Sequence, residues 1–369
     1  NTVVALNCLM KLRRPLSPIS NRDKRFRSQH RECTRFEKGM IKQSTLAYAR
    51  GAQLALREMK IANALEKRSV DANLRTLMMI YDCFLYYDED MLLDIRLNTL
   101  ADVIDRFVIV ESTHTFTGNK RQLHFDINKY GPFKDKIIYV VHDETPLMKA
   151  SDGGDQHQDG LVVDAWANEA AQRNAIMQGL KSAKDDDLIL ISDVDEIFSP
   201  QVIGSINANK LCTTLYQNFY NYQFNLQVFN TDNTPRKCKL PRATKYKNLV
   251  HFFGGEPESF RNLKRTRSVK NWSWLKWNWF KLNNRIIENS GWHFSWVMTP
   301  ERISEKMSTI SHTEYDLPEF NNPEHIMKVI KNAEDIWGRD RKLIRQELSA
   351  DNFPEYIVNN KDKFREFII

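Results

Sequence analysis

No run in these 369 residues approaches the roughly 18 consecutive apolar residues that a transmembrane helix needs, so no membrane-spanning helix is encoded in them. Cysteine is sparse. Cys8, Cys33, Cys83, Cys212 and Cys238 are odd in number and widely spaced, with no C-x-x-C pair, which removes the usual thiolate zinc sites and dithiol redox chemistry. Isolated thiols, some of them buried, are expected. At the start, Asn1 to Leu6 carries neither an initiator Met nor a basic-then-apolar signal layout, so a targeting segment either lost or never present fits it. No repeat period runs through the chain. The one sequon, Asn271-Trp272-Ser273, matters only in a secretory pathway.

What is present is a globular composition, 41% hydrophobic with 11% aromatics, in a chain long enough to bury a full core. The formal charge of +7 suggests nucleic acid until it is mapped. Residues 11–42 hold eleven Lys or Arg against three acids, so the rest of the chain sums to about −1. The basicity belongs to an arm over residues 1–38, where Pro15, Pro18 and many Arg favour irregular structure. Residues 39–76 change to Ala, Leu, Met, Lys and Glu with an imperfect helical stripe, the pattern of a lead-in helix.

The main domain begins near residue 77. Strands are expected at Met78 to Leu85, Phe107 to Val110 and Ile137 to Val141, with a helix from Asp90 to Leu100. Asp164 is a plausible N-cap for a helix to about Ala183, and Leu188 to Ile191 follows as a strand. This alternation is that of an α/β sheet with helices on both faces. Between them lies a Gly, Asp and Gln-rich loop over residues 151–157. From Leu215 to Phe229 aromatic and polar residues alternate as in a strand pair. Residues 261–285 hold eight Lys or Arg, no acid, and Trp272, Trp274, Trp277 and Trp279, readable as a buried hairpin or as a surface for bases, lipid or sugar rings. Ile286 to Trp296 reads as a strand entering a tight turn, Thr299-Pro300 opens a helix to about Ile310, and Asn322-Pro323 opens another.

The chemistry concentrates at Asp193-Val194-Asp195-Glu196, directly after the apolar run Leu188–Ile191. Such a run reads as a strand buried on both faces, and ligands of open α/β sheets sit beyond the carboxyl ends of their strands. In extended chain residues i and i+2 point the same way about 6.5 Å apart, so two carboxylates can converge on one hard divalent cation. D-x-D alone is weak, since any acidic turn can produce it. A third ligand is commonly an imidazole: His293, between Trp292 and Phe294, is the first candidate and His312 the second, although a histidine so placed also serves as a satisfied core residue. Glu169 and Arg173 are four apart in the order of a helical ion pair; alternatively the Arg173 fork reaches an anionic ligand.

These blocks together resemble glycosyltransferase family 17, the β-1,4-mannosyl-glycoprotein β-1,4-N-acetylglucosaminyltransferases. The resemblance lies in Asp82-Cys83-Phe84-Leu85, Leu93-Asp94-Ile95-Arg96-Leu97-Asn98, Phe107 to Ser112, Thr115-Phe116-Thr117-Gly118, Asn168-Glu169 with Gln172-Arg173-Asn174, Ser192 to Ile197, Gly291 to Ser295, and Ser311-His312-x-Glu314. They fall in the family's order between about residues 78 and 340. The resemblance implies a GT-A type nucleotide-sugar-binding sheet over 77–345, with 346–369 as a C-terminal extension. It implies an inverting transfer of N-acetylglucosamine from UDP-N-acetylglucosamine to a glycan hydroxyl, most readily the β-linked mannose of an N-glycan core. It also implies Mn²⁺ or Mg²⁺ held by Asp193, Asp195 and His293, with Asp193, Arg173 and Lys306 on the phosphate side and Glu111 facing ribose or uracil. Glu314 and Glu196 are the candidate catalytic bases. The partners are then a nucleotide-sugar donor and a glycan acceptor, with no nucleic acid expected. The compartment stays open: Golgi or another membrane-associated glycosylation compartment if the chain is anchored, cytoplasm otherwise. The arm 1–76 and the Trp-rich segment match nothing in the family's pattern. They leave a different donor or acceptor, a nucleic-acid-binding protein and a non-catalytic glycan binder as competing readings.

Overall fold

The computed structural model describes residues 78–150, 161–263, 274–309 and 316–369. All belong to one compact unit, Arg75–Ile369. The expected arm and lead-in helix, the loop at 151–157, Trp272, His312 and Glu314 lie outside the described residues.

In chain order the strands that carry the architecture are β1 (Ile80–Leu85), β2 (Arg106–Ser112), β3 (Ile137–His142), β4 (Leu188–Ile191), β5 (Glu196–Phe198), β6 (Cys212–Leu215), β7 (Gln217–Asn221), β8 (Leu226–Phe229), β9 (Arg242–Lys245), β10 (Asn284–Ile287), β11 (Gly291–Ser295) and β12 (Lys342–Arg345). The helices used below are α1 (Asp90–Leu100), α2 (Ala165–Asn174), α3 (Pro257–Arg261), α4 (Trp274–Asn283), α5 (Pro300–Thr309) and α6 (Pro323–Lys331). One sheet runs β10-β6-β9-β4-β1-β2-β3, with β4, β1, β2 and β3 mutually parallel and β9 antiparallel to both its neighbours. A second runs β12-β8-β7-β11-β5. The fold is mixed α/β.

The period-2 alternation of strand side chains explains why β4 is apolar throughout. Leu188 and Leu190 enter one core, with α1 and Phe107 and Ile109 of β2. Ile189 and Ile191 enter the other, with Ile176, Leu249, Phe260 and Phe280. Helices therefore cover both faces, as expected. A third core joins β8 to α5 and α6 through Leu226, Val228, Ile303, Met307 and Ile326. Asp164 caps α2 as expected, accepting from the Ala167 amide at 3.1 Å. The expected long helix is broken, however: α2 ends at Asn174, and the Ala175 amide is shared between the carbonyls of Ala171 and Gln172 before a short turn, Ile176–Gly179.

Two other expectations are corrected. The described part of the Trp-rich segment is the helix α4, not a hairpin strand, with Phe280 buried in the second core and Trp277 stacked on it at 5.6 Å. The stretch from Leu215 to Phe229 is divided between the sheets, since Leu215 ends β6 while β7 and β8 pair in the second. Residues 346–369 pack into the first core through Phe353, Ile357 and Phe364, and the Ile369 amide donates to Asn225 Oδ1 at 3.0 Å.

Candidate active site

The site lies where β1, β2 and β4 end. Tyr86 and Tyr87 follow β1, His114 to Phe116 follow β2, and Asp193 to Asp195 follow β4. Together with Trp166 of α2 and Glu305 and Lys306 of α5, these residues line a cavity of about 380 Å³. That volume suits a small-molecule site, and the position is the one open α/β sheets use.

The acidic turn is fixed from beneath by Arg96, a fully buried guanidinium of α1. Its Nε and Nη2 donate to the Asp82 carboxylate at 2.7 and 2.5 Å, and Nη2 also reaches Ser192 Oγ at 2.6 Å. Its Nη1 donates to the carbonyls of Asp193, Val194 and Glu196 at 2.8, 3.2 and 3.0 Å. One cation thus gathers three carbonyls of the turn whose Asp193 and Asp195 line the cavity. From the side, Asp193 Oδ1 accepts from Arg173 Nη2 at 3.0 Å and Oδ2 from Arg261 Nη2 at 2.5 Å. Burial alone would raise the Asp193 pKa, but Arg261 and Arg173 bring it down to about 2. Asp195 Oδ2 lies 3.5 Å from His293 Nε2. Burial opposes charge on both groups, and their mutual attraction overcomes it, so Asp195 titrates below the usual carboxylate range and His293 well above the imidazole range. Lys306 contacts Glu89 Oε1 at 3.5 Å; burial would lower its pKa, yet Glu89 and then Asp195 raise it.

Asp193, Asp195, His293 and Lys306 therefore line one cavity. Three other candidates are engaged by contacts within the protein. Glu111, expected at ribose or uracil, is fully buried: Oε1 accepts from Arg121 at 3.0 Å and the His124 amide at 2.7 Å, and Oε2 from the Phe125 amide at 3.1 Å and Tyr139 at 2.7 Å. With four internal donors on two oxygens it ties the segment after β2 to the end of that strand. Arg173, expected on phosphate, lines the cavity but binds Glu169, Asp193 and Glu258. Glu196, a candidate base, is buried beneath the turn, where Oε1 takes Arg261 at 2.7 Å and Cys238 Sγ at 3.1 Å, and Oε2 takes the Asp193 amide at 2.8 Å. Glu314 is outside the described residues.

Sequence reasoning missed Arg261, Cys238 and the aromatic wall. Arg261 lies at the edge of the basic stretch, where nothing marks one arginine as buried. Cys238 approaches Glu196 and His293 closely enough for the three to share an ion. The Arg121 guanidinium lies 4.0 Å from the Tyr87 ring centroid, and Tyr87, Phe116 and Trp166 add aromatic surface to the lining of the cavity. Arg96 did leave a signal: a charge inside the apolar stripe Leu93, Leu97 and Leu100, matched by Asp82 inside an apolar strand.

Residues 67–256 match the model of glycosyltransferase family 17. The β-1,4-mannosyl-glycoprotein 4-β-N-acetylglucosaminyltransferases of Rattus norvegicus and Mus musculus are each 24% identical to this chain over 296 residues, covering 74% of it and 51% of each relative. That of Homo sapiens is 24% identical over 295 residues, covering 74% of this chain and 52% of its own. The chain thus spans about half the length of these relatives. The family match takes in β1, β2, β4 and the acidic turn and extends over more than half of the chain, which makes this protein a member of glycosyltransferase family 17.

Proposed function

We propose that this chain transfers N-acetylglucosamine from UDP-N-acetylglucosamine to a mannose hydroxyl of an N-glycan, on a GT-A type sheet. The observation that carries the reading is the cavity beyond β1, β2 and β4, lined by carboxylates and cations together with aromatic rings. A nucleoside diphosphate sugar has the complementary halves, a flat base and a doubly charged diphosphate.

The donor set fits a hard divalent cation such as Mn²⁺ or Mg²⁺. Asp195 offers a carboxylate 3.5 Å from Nε2 of the His293 imidazole. Asp193 carries one arginine on each oxygen, which leaves a lone pair on each for a ligand. When bound there, such an ion would neutralise charge developing on the departing diphosphate. The rest follows from the chain's own groups. Tyr87, Phe116 and Trp166 hold the base, and Lys306 places a positive charge beside the phosphates. Arg173 and Arg261 fix Asp193, and Glu196 acts through Arg261 as a positioning residue.

In an inverting displacement the acceptor oxygen attacks the anomeric carbon, the bond to the diphosphate breaks, and a carboxylate opposite the leaving group takes the hydroxyl proton. Glu314 remains our candidate for that base, because it follows α5, whose Glu305 and Lys306 line the cavity. The test is incubation of the purified chain with UDP-N-acetylglucosamine, Mn²⁺ and a pool of N-glycans, read by mass. A gain of one N-acetylhexosamine that disappears with EDTA supports the reading. Absence of both transfer and UDP binding overturns it.

A further inference from the structure

The second sheet has a cavity of its own, about 350 Å³, with a lining unlike that of the first. Strand alternation separates the two. On β11, His293 points to the acidic turn, so its neighbour Trp292 projects from the other face. Register then assembles that other face: Trp292 lies opposite Asn218 of β7, and Tyr220 of β7 lies opposite Gln227 of β8. Gln346, just past β12, and Asn352 complete the wall.

Two of these side chains are largely buried yet leave their polar atoms open to the cavity. Tyr220 is 3% exposed and Gln227 8% exposed, and neither the phenol hydroxyl nor the side-chain amide makes a hydrogen bond among the described residues. Both therefore keep donors and acceptors for an occupant. The charges nearby are committed elsewhere. Lys237 Nζ donates to Asn218 Oδ1 at 2.6 Å and to Asn289 Oδ1 at 2.5 Å, so the ammonium already faces two amide oxygens. This fixes both amides with their Nδ2 donors turned away from the lysine. Asp351 is the single carboxylate of the lining, too little for a metal site.

What remains is a set of donors and acceptors on neutral groups: Asn218 and Asn289 Nδ2, both ends of the Gln227 amide, the Tyr220 hydroxyl and Gln346 Oε1. Beside them stands the indole of Trp292, whose Nε1 donates to the Asn352 carbonyl at 2.5 Å. Hydroxyl groups both donate and accept, so a mixed amide lining suits a polyol, and an aromatic ring suits the apolar face of a pyranose. We infer that this cavity is a second saccharide site, separate from the donor cavity, which binds an uncharged sugar unit on the opposite face of the second sheet. The assignment stands on the cavity's own groups, and it would hold for a glycan-binding chain that transfers nothing.

The test is saturation-transfer NMR on the full chain with N,N′-diacetylchitobiose, with α-mannobiose, and with a core N-glycan presented free and on a glycopeptide, each with and without UDP and Mn²⁺. The expected result is saturation of at least one saccharide that UDP does not displace. The free and peptide-borne arms distinguish a soluble sugar from a glycoprotein as its source. Gln227→Ala should weaken the affinity about 3- to 10-fold, the loss of one hydrogen-bonding group. Because Gln227 is buried, Gln346→Ala at the half-buried rim is the second variant; it should weaken saccharide binding while UDP affinity stays unchanged. Saccharide signals that UDP abolishes, signals untouched by both substitutions, or no saturation by any of the four at millimolar concentration would each overturn the assignment. Failure of transfer in the earlier assay would leave this binding result standing.

Discussion

Replacing Arg96 by Met tests the idea that one buried cation builds the acidic turn. The change keeps side-chain bulk but removes every donor of a fully buried guanidinium. It strands the Asp82 carboxylate, itself fully buried, and frees the carbonyls of Asp193, Val194 and Glu196. Breaking a buried ion pair from one side costs about 3–5 kcal/mol, because the remaining charge stays uncompensated. Against a total stability of about 5–15 kcal/mol, that is a large share. Replacing both partners by apolar residues is far milder, so Asp82→Leu combined with Arg96→Met should recover most of the loss. The assay is urea unfolding followed by far-UV circular dichroism, with UDP affinity in Mn²⁺ measured on each folded variant. The double variant should regain stability without regaining UDP affinity, since the three carbonyls are still ungathered. An Arg96→Met chain less than about 1 kcal/mol weaker than the parent, or a double variant that binds UDP normally, would refute the reasoning.

Asp195→Asn should remove the Mn²⁺ dependence of UDP binding and lower the unfolding midpoint at neutral pH through the lost attraction to His293; unchanged Mn²⁺ dependence would take Asp195 out of the metal set. The raised pKa of His293 sets a pH dependence: its contribution is fully present below the unfolded imidazole value of about 6.5 and is lost as pH rises through the higher folded value. Urea midpoints without metal should therefore fall on the alkaline side of neutrality, and His293→Gln should flatten that fall. Asp193 behaves in the opposite sense. Its folded value of about 2 means its contribution is held above about pH 4 and lost only as pH drops towards 2, so Asp193→Asn should destabilise at pH 5 and lose that effect near pH 2. Gly291 has φ +143°, and a Cβ there would be driven into the Ile197 carbonyl, so Gly291→Ala should cost at least about 2 kcal/mol by the same unfolding measurement.

Local pattern made the first sheet legible. The run Leu188–Ile191 has no polar residue because each face meets a core, and that alone places Asp193 and Asp195 at a strand's carboxyl end. Asp164 and Asn322 announce their helices through capping chemistry that acts within three residues. Long-range pairing was illegible for a physical reason. Glu111 has the same strand-end position as Asp193, but its donors come from residues 121–139, whose approach no local rule encodes. Arg173 has a helical ion-pair spacing to Glu169, and sequence cannot show that Asp193 and Glu258 converge on the same guanidinium. The arrangement of the second sheet depends on β5 and β11 meeting across nearly a hundred residues.

Strand β11 also constrains how this chain can vary over descent. It is five residues long and has the imidazole of the acidic turn on one side and the indole of the polar cavity on the other. Substitutions on either side can accumulate independently, since each side chain meets a different set of neighbours. A one-residue insertion or deletion between Gly291 and Ser295 has no such freedom: it would exchange the two occupants, delivering an indole to Asp195 and an imidazole to Asn218. Length in this strand should therefore be held fixed across descendants of the chain even where its residue types drift.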